Sequence, residues 1–387
     1  MSSGAQVTSY LIPEVTPGIT PTTGAWDTLR LTSNTLSPTV NTQVSDEITD
    51  SRISQGSVVS SADIQGDLVG ELSYGSFDKL LEAAFYGTWS SDVLTVGSTR
   101  RTFTIAKNFN DVSVYTLFKG MHASVFALDI PSDGKITATF TMAGLDYADG
   151  DTNTVSTITP PTTTPFMSNL NVGTITVDGQ SLEGVACVSA LTINLDNSLQ
   201  AQRCIGNGKL GPGAQIATEA AITGTVTLAW SNRAWQIWKN TFSRKTIALA
   251  FPITDSLGNR YDLSFPALEV DGDLPNGGKR DLIEVTLNYT VAKQAPTITR
   301  VPFVPVSSVS VTPTTASIAV AATRQLTASA LPSGAAQNVT WSSSAPSIAT
   351  VNSSGLVTGV AAGSAVITAT SVSDPTKTAT SAITVTA

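Results

Sequence analysis

Short β-branched runs separated by turn-forming residues dominate the hydrophobic pattern of this 387-residue chain. Three segments alternate apolar and polar residues with a period of two, as half-buried strands do: residues 135–142, 246–251 and 284–291. Hairpin turns are predicted at Asp133-Gly134, Asp178-Gly179, Gly258-Asn259 and Asn276-Gly277-Gly278. The pattern therefore predicts a mainly β fold.

One segment in the first half of the chain departs from this alternation and predicts a short helix. Its apolar residues fall on one stripe at helical spacing: Phe77, Leu80, Leu81, Ala84 and Phe85. Ser76 is the predicted N-cap, and Gly87 is predicted to end the helix in the left-handed conformation. We expect this helix to seal one face of a sheet.

A second helix is predicted around a bulkier group of residues: Trp235, Ile237, Trp238 and Phe242. Ser231 or Asn232 is its predicted cap. Tryptophans so close together could form a sugar-stacking platform. At helical spacing beside a strand, however, the favoured interpretation is packing in a core or at a subunit interface.

The strand-then-helix pattern occurs twice. Residues 64–68, which lead into the first helix, align with residues 222–226, which lead into the second, 158 positions later. Upstream, residues 29–36 resemble residues 191–199, and downstream, residues 134–142 resemble residues 278–287. Three similarities in the same order predict a duplicated β-plus-helix unit.

Polar, proline-containing stretches divide the chain. Residues 1–24 are rich in Ser, Thr, Pro and Gly and predict an extended N-terminal arm rather than a packed element. Residues 151–173 predict a polar linker, and residues 295–305 predict a linker stiffened by prolines. The predicted domains are a first β unit at 25–150, a second at 174–294, and a third module at 306–387.

The third module reads as seven short strands with turns between them, which is typical of an immunoglobulin-like sandwich. The strands are predicted at residues 306–313, 324–328, 339–344, 348–351, 355–360, 363–370 and 382–386. The order Trp341-Ser-Ser-Ser, Ile348-Ala-Thr-Val, Gly355-Leu-Val-Thr-Gly-Val closely resembles the bacterial Ig-like group 2 family over almost the whole module. We expect Trp341 to be buried.

Charge is divided unevenly along the chain. The formal net charge is −8, and residues 301–387 contribute +1 through Arg324, Lys377 and Asp374, which leaves −9 on residues 1–300. An acidic surface repels a polyanion and disfavours a protein that grips nucleic acid phosphates, although simple solubility is the alternative interpretation. No apolar run approaches the ~18 residues of a membrane span. Residues 1–6 lack the features of a secretory signal, so synthesis in a cytoplasm is expected.

Candidate catalytic and metal-binding residues are few. His122 is the single histidine, so no second imidazole can complete a metal site or a catalytic triad. Asp46 with Glu47, and Asp271 with Asp273, could form acid–base pairs, but solvated carboxylates are the default in such polar stretches.

Two further features have an ordinary interpretation. Cys187 and Cys204 are expected to be buried or half-buried thiols rather than a disulfide, because the compartment of synthesis is reducing. Residues 206–213 are glycine-rich and contain Lys209, but they lack the ending and the following helix of a phosphate-binding loop, so a mobile loop is predicted. The sequence therefore predicts no enzyme, no catalytic residue, no cofactor and no metal site.

The whole chain resembles the major tail (tail tube) proteins of long-tailed bacteriophages in its arm, its two acidic β-plus-helix units and its single Ig-like module. The resemblance is most specific over residues 47–87, with Arg52, Gly66, Glu71-Leu72 and the helix containing residues 80–84. It implies tandem β-sandwich or barrel units whose sheets close into rings around a lumen. It also implies that rings stack into a non-contractile tube, with the Ig-like module displayed outside.

The resemblance also implies partners and a location. The partners are other copies of the chain and other tail proteins, namely the tape measure, terminator and tail-tip proteins, and no membrane is involved. DNA passes through the lumen without specific binding, since an acidic lining lets a polyanion slide. The location is the virion, with assembly in the bacterial host cytoplasm. Because each chain supplies two units, we predict trimeric rings with pseudo-sixfold symmetry.

Two other hypotheses fit the same elements. Ig-like group 2 modules also occur in bacterial surface adhesins, so the chain could be an adhesin or a carbohydrate-binding protein whose tryptophans contact the ligand. The absence of a visible secretory signal counts against that hypothesis. A phage baseplate or tail-tip component would share the folds without forming long tubes.

Overall fold

The computed structural model describes residues 3–48, 50, 52–206 and 208–387. The fold is mainly β, as the sequence predicts. The chain divides into two units, Met1–Val301 and Pro302–Ala387, which are called the body and the Ig-like unit below. Among the described residues, no helix is both long enough and apolar enough to span a bilayer.

The first half of the body contains eleven strands and one helix among the described residues. These are β1 Val7–Pro13, β2 Ala25–Thr28, β3 Ser33–Asn34, β4 Ser37–Val44, β5 Ser57–Glu71, α1 Asp78–Phe85, β6 Val93–Thr95, β7 Phe103–Phe109, β8 Val114–Pro131, β9 Thr137–Ala143, β10 Asp146–Gly150 and β11 Thr157–Thr159.

The second half follows with a similar succession of elements. These are β12 Thr176–Val177, β13 Gln180–Ser181, β14 Val188–Asp196, β15 Leu199–Gln202, β16 Ala214–Ala217, β17 Ala221–Ala229, α2 Asn232–Trp238, α3 Asn240–Ser243, β18 Ile247–Thr254, β19 Arg260–Asp271, β20 Glu284–Val291 and β21 Thr297–Val301. All four predicted hairpin turns lie in connections between these strands.

The two halves have corresponding strand pairings, as a duplicated unit would have. In the first half, β5 pairs with β3 and β4 on one side and with β9 on the other, and β9 pairs with β8. In the second half, β17 pairs with β14 and β20, and β20 pairs with β19. The hairpins β7–β8 and β18–β19 also correspond, and each carries an irregularity near its start. A helix follows β5 and β17 alike.

The halves are joined into one sheet by the pairing of β8 with β14. Residues 125–131 of β8 run antiparallel to residues 190–196 of β14, from Val125 opposite Asp196 to Pro131 opposite Ala190. The strands β5, β9, β8, β14, β17 and β20 are therefore neighbours in that order and form what we call the central sheet. β8 itself is long enough to leave this sheet and pair with β7 and β10 through its first half.

Two glycines that the sequence aligns, Gly66 and Gly224, lie where the backbone has no room for a side chain. A Cβ on Gly66 would meet the backbone nitrogen of Leu36 at 2.6 Å. A Cβ on Gly224 would meet the Thr192 carbonyl oxygen at 2.1 Å and the Tyr289 hydroxyl at 2.3 Å. Close approach therefore explains why glycine stands at this point in both halves.

Helix α1 seals the buried face of the central sheet, as predicted. Leu80, Leu81, Ala84 and Phe85 are buried in the same core as Phe126 and Phe140. Both predicted caps are wrong. Phe77 stands at the N-cap without a side-chain bond, and Tyr86 rather than Gly87 takes the left-handed conformation, with φ 49°. The Tyr86 and Gly87 N–H groups donate to the carbonyls of the last turn.

Helix α2 begins where the sequence predicts, because the Ser231 hydroxyl accepts a hydrogen bond from the Ala234 N–H at 3.2 Å. Ile237 is buried and Trp238 is half-buried against the core. Trp235 and Phe242 are exposed, at 40% and 75%. Ile237 and Trp238 therefore pack in the core as expected, and a place at a subunit interface stays a prediction for Trp235 and Phe242.

Three segments predicted to lie outside packed structure contribute strands to the body. Within residues 1–24, β1 pairs with β2 and β7, so the expectation of an unpacked arm is wrong. Within residues 151–173, β11 pairs with β2, and Met167 is fully buried. Within residues 295–305, β21 pairs with β19 and β6. These strands are short and lie within stretches rich in proline and threonine, so composition alone does not reveal them.

The Ig-like unit contains nine strands, two more than the sequence predicts. These are β22 Ser308–Thr312, β23 Thr315–Ala319, β24 Thr323–Gln325, β25 Thr327–Leu331, β26 Val339–Ser343, β27 Ala349–Val351, β28 Leu356–Gly359, β29 Gly363–Ser371 and β30 Thr378–Thr386. Its largest sheet has the order β23-β30-β29-β26. Trp341 packs against the core of this unit but is half-buried rather than buried.

Candidate functional site: the open face and the edges of the central sheet

One face of the central sheet belongs to the core, and the other face, which we call the open face, carries small polar and acidic side chains. In β9, Ala138, Phe140 and Met142 are fully buried, while Thr137, Thr139 and Thr141 between them are half-buried. The same alternation occurs in β14, β17 and β20. Strand geometry thus separates one face that packs from one face that does not.

The open face is acidic, and its strand positions contain neither lysine nor arginine. Its acidic residues are Asp63, Asp67 and Glu71 of β5, Asp129 of β8, Asp196 of β14 and Glu284 of β20, and Glu269 and Asp271 of β19 lie next to this face where β19 pairs with β20. Two cations reach acidic residues at its rim, since Lys135 pairs with Glu71 and Arg203 pairs with Asp63. The face therefore presents a negative surface to whatever lies in front of it.

Hydroxyl groups link neighbouring strands across the open face. Thr141 donates to the Asp67 carboxylate at 2.7 Å, from β9 to β5. The hydroxyls of Thr192 and Thr225 lie 2.8 Å apart, which links β14 to β17 across the second half. These side chains are short and hold one another in place, so the face is smooth as well as negative.

The two edges of the central sheet differ in what they offer. At one edge, β4 pairs with β5 and with no other strand among the described residues. At the other edge, β20 pairs with the end of β19 only from Leu268 to Asp271. Unpaired edges such as these are sites where another chain can add to a sheet.

The hairpin formed by β4 and β5 exposes apolar side chains. Val40, Val44, Val58 and Val59 are between 49% and 69% exposed, and Ile48 and Ile53 in its described tip residues are 98% and 79% exposed. Scattered apolar residues are ordinary on a protein surface, but six on one hairpin leave it well suited to contact an apolar partner. Asp46 and Glu47, predicted to be solvated, are exposed in the same tip.

A polar cluster holds the two halves of the body together. The Tyr261 hydroxyl of β19 donates to the Asp78 carboxylate of α1 at 2.8 Å and accepts from the Gly75 N–H at 2.8 Å. Arg300 of β21 bonds to Asp78 at 2.6 Å, and its guanidinium lies 4.3 Å from the ring centre of Trp89. Burial raises the pKa of Tyr261 well above its ordinary value, and the Asp78 charge raises it further. This cluster therefore has a structural role rather than a chemical one.

The remaining candidate residues behave as the ordinary interpretations predict, with one exception. His122 is buried, with Nδ1 2.9 Å from the Gly120 carbonyl oxygen, and burial lowers its pKa. Asp271 and Asp273 are exposed. Cys187 and Cys204 are free, but both are exposed, so the expectation of burial is wrong. Among the described residues, no group of His, Cys, Asp and Glu is arranged to hold a metal ion.

The loop at residues 206–213 is described except for Asn207. Its second part packs against the body. The Leu210 carbonyl accepts from the Ala62 N–H at 2.8 Å, and a Cβ on Gly211 would meet the Leu145 carbonyl oxygen at 2.1 Å. Gly211 therefore serves close backbone approach, whereas Gly206 and Gly208 have positive φ with open space around them.

The sequence predicts an acidic lining but does not by itself identify the residues that form it. A signal is present: the polar positions of β5, β9, β14, β17 and β20 carry mainly threonine, asparagine, aspartate and glutamate, and none of them carries lysine or arginine. Recognising that signal requires knowing which strands share a sheet, and the β8–β14 pairing that joins the halves has no local mark in the sequence.

Comparison with known proteins identifies two families. Residues 4–291 match the family model described as phage tail tube protein, and residues 305–381 match the bacterial Ig-like domain (group 2). No curated protein matches the chain. Among solved structures, invasin, described as a bacterial integrin-binding protein, matches with 12% identity over 83% of this chain and 79% of that chain. Its TM-score of 0.15 is too low to indicate a shared fold.

The tail tube match covers well over half of the chain and nearly all of the body, including the central sheet with its open face. The Ig-like match covers most of the second unit. The chain therefore belongs to the phage tail tube protein family, with an Ig-like group 2 domain after the tube region.

Proposed function

We propose that this protein is the structural subunit of a non-contractile phage tail tube, whose stacked rings form a conduit for DNA. Membership of the family supports a structural tail protein of the virion. The acidic open face is the observation that supports the conduit. An open face without lysine or arginine at its strand positions would repel a polyanion and hold no phosphate, so DNA would slide past it.

The duplicated topology supports trimeric rings. Each chain supplies two equivalent units that are already joined edge to edge through β8 and β14. Three chains joined in the same way would give six units around the ring, with threefold symmetry because the halves differ in detail. The apolar β4–β5 hairpin is suited to contacts between stacked rings. The Ig-like unit, which is a separate compact unit, would be displayed outside the tube.

The role is structural rather than enzymatic, and the partners are other copies of the chain and other tail proteins, such as the tape measure, terminator and tail-tip proteins. Assembly would take place in the bacterial host cytoplasm. DNA would be a passing cargo and not a bound ligand.

A cryo-electron microscopy reconstruction of the purified, assembled protein tests the proposal. We expect hollow tubes of rings with three chains each and with Asp129 and Thr225 facing the lumen. Tubes in which the open face points outward would contradict the conduit, and rings of six chains would contradict the trimer. A protein that stays a single chain at high concentration and is missing from phage tails would contradict the whole proposal.

Adding positive charge to the open face tests directly whether this face lines the conduit. Thr225→Lys combined with Asp129→Lys should make open-ended tubes retain double-stranded DNA at low salt and release it as salt rises, because added cations neutralise phosphates. Glu183→Lys combined with Ser364→Lys is the matched control, since both of these residues are exposed, both lie outside the central sheet, and the pair adds the same amount of positive charge. Equal DNA retention by the two variants would show that the open face does not line the conduit.

A further inference from the structure

A similar short sequence stands at the end of β8 in the first half and just after the end of β19 in the second half. β8 ends with Asp129-Ile130-Pro131, and Gly134-Lys135 follow in the turn to β9. Asp273-Leu274-Pro275, followed by Gly278-Lys279, stand in the same order after β19 and before β20. Residues 269–275 therefore correspond to residues 125–131.

The first of these segments forms the junction between the halves, and the second has no partner strand among the described residues. Residues 125–131 pair with β14 along their whole length. β19 ends at Asp271, and residues 272–275 belong to no strand. The Trp238 indole N–H donates to the Gly272 carbonyl at 2.9 Å, which holds the chain at the point where the strand stops.

The exposed fractions of two corresponding residues show how much surface a junction buries. Ile130 is 6% exposed, because β14 lies against it. Leu274 is 53% exposed. The same position thus carries an aliphatic side chain in both halves but is covered only in the first half.

The other end of the central sheet offers a strand edge equivalent to the one that β14 offers to β8 within the chain. β14 pairs with the central strand β17 on the side opposite β20. β3 and β4 pair with the central strand β5 on the side opposite β9, so they hold the place of β14 in the first half. β4 has no second partner strand among the described residues.

We propose that residues 272–275 extend β19 as a strand only when two copies of the chain meet, and that this extension pairs with the β3–β4 edge of the second copy. The contact repeats between chains the antiparallel β8–β14 junction within the chain. It joins two different surfaces, so it runs head to tail and gives a ring when the rotation between neighbouring chains closes. The inference rests on the proposed tube function and assigns the residues that close its rings.

Two substitutions in the same loop test the inference. Leu274→Asp should raise the protein concentration needed for ring assembly at least about tenfold, because a charge replaces a side chain that the junction buries. Leu282→Asp is the matched control and should assemble like the unmodified protein, although Leu282 is even more exposed, at 78%. Both variants should melt like the unmodified protein before assembly. Assembly of Leu274→Asp at the normal concentration would overturn the inference.

Hydrogen–deuterium exchange on the unmodified protein gives a test that needs no substitution. The backbone amides of residues 272–274 should exchange rapidly in the free chain and at least about tenfold more slowly in assembled rings, together with amides of β3 and β4. Rings whose residues 272–274 still exchange rapidly would overturn this inference and leave the proposed function standing. An unmodified protein that forms no rings would overturn both.

Discussion

The two halves of the body share a topology but use their edges differently. In the first half, the end of β8 is paired, Ile130 is buried, and the helix α1 is buried along one complete stripe. In the second half, β19 stops early, Leu274 is exposed, and Trp235 and Phe242 of the helical segment face solvent. A duplicated unit inside one chain needs its inner junction to fold. In the proposed assembly the outer surfaces contact other chains, so the difference between the halves would separate folding contacts from assembly contacts.

The largest expected effect comes from the last strand of the body, which contacts both halves. β21 pairs with β19 of the second half and with β6 of the first. A chain that ends after Lys293 should lose cooperative unfolding of the body or fail to fold, because it lacks β21 and Arg300. A chain that ends after Val301 should fold and assemble normally without the Ig-like unit. Thermal melting and electron microscopy check both outcomes, and equal behaviour of the two truncated chains would contradict the assigned role of β21.

The second prediction compares corresponding residues of the halves. Ile130→Ala should lower the free energy of unfolding by about 2–5 kcal/mol, since it opens a cavity at the inner junction. Leu274→Ala should change it by less than about 0.5 kcal/mol in the unassembled chain, because the side chain is exposed. Chemical denaturation of dilute protein measures both values. A large loss for Leu274→Ala would show that the second edge is already a folding contact.

The parts that could be predicted from the sequence are those with local signals. The period-two runs, the hairpin turns and the stripe of Leu80, Leu81 and Ala84 are each written within ten residues or so of sequence. β1 and β21 were missed because their stability comes from pairing with strands far along the chain, such as β7 and β19. The open face was missed for the same reason, because it exists only after β8 meets β14.

The third prediction separates the body from the Ig-like unit by pH. Burial raises the pKa values of Tyr261 and Tyr289 in the body, so the folded state keeps these protons above pH 10, where the unfolded chain releases them. Their stabilisation is complete below pH 10 and falls as the pH rises, by about 1.4 kcal/mol per pH unit for each tyrosine. Residues 302–387 contain no tyrosine.

Melting curves recorded between pH 9 and pH 12 check this prediction. The melting temperature of the body should fall above pH 10. The Ig-like unit should lose no stability through tyrosine ionisation, because it contains no tyrosine. A body containing Tyr261→Phe and Tyr289→Phe should show a shallower dependence on pH. An unchanged dependence in that double variant would assign the alkaline loss to other groups.

The smallest effect is expected for the single hydroxyl that links the halves. Tyr261→Phe removes the hydrogen bond to the Asp78 carboxylate and the acceptor for the Gly75 N–H, and should cost about 1–3 kcal/mol because Asp78 carries a charge. Asp78 keeps its ion pair with Arg300, which limits the loss. Asp78→Asn in the Tyr261→Phe background should then cost less than Asp78→Asn alone, since one shared bond is already missing. Additive losses in this double-mutant cycle would show that the hydroxyl and the carboxylate act independently.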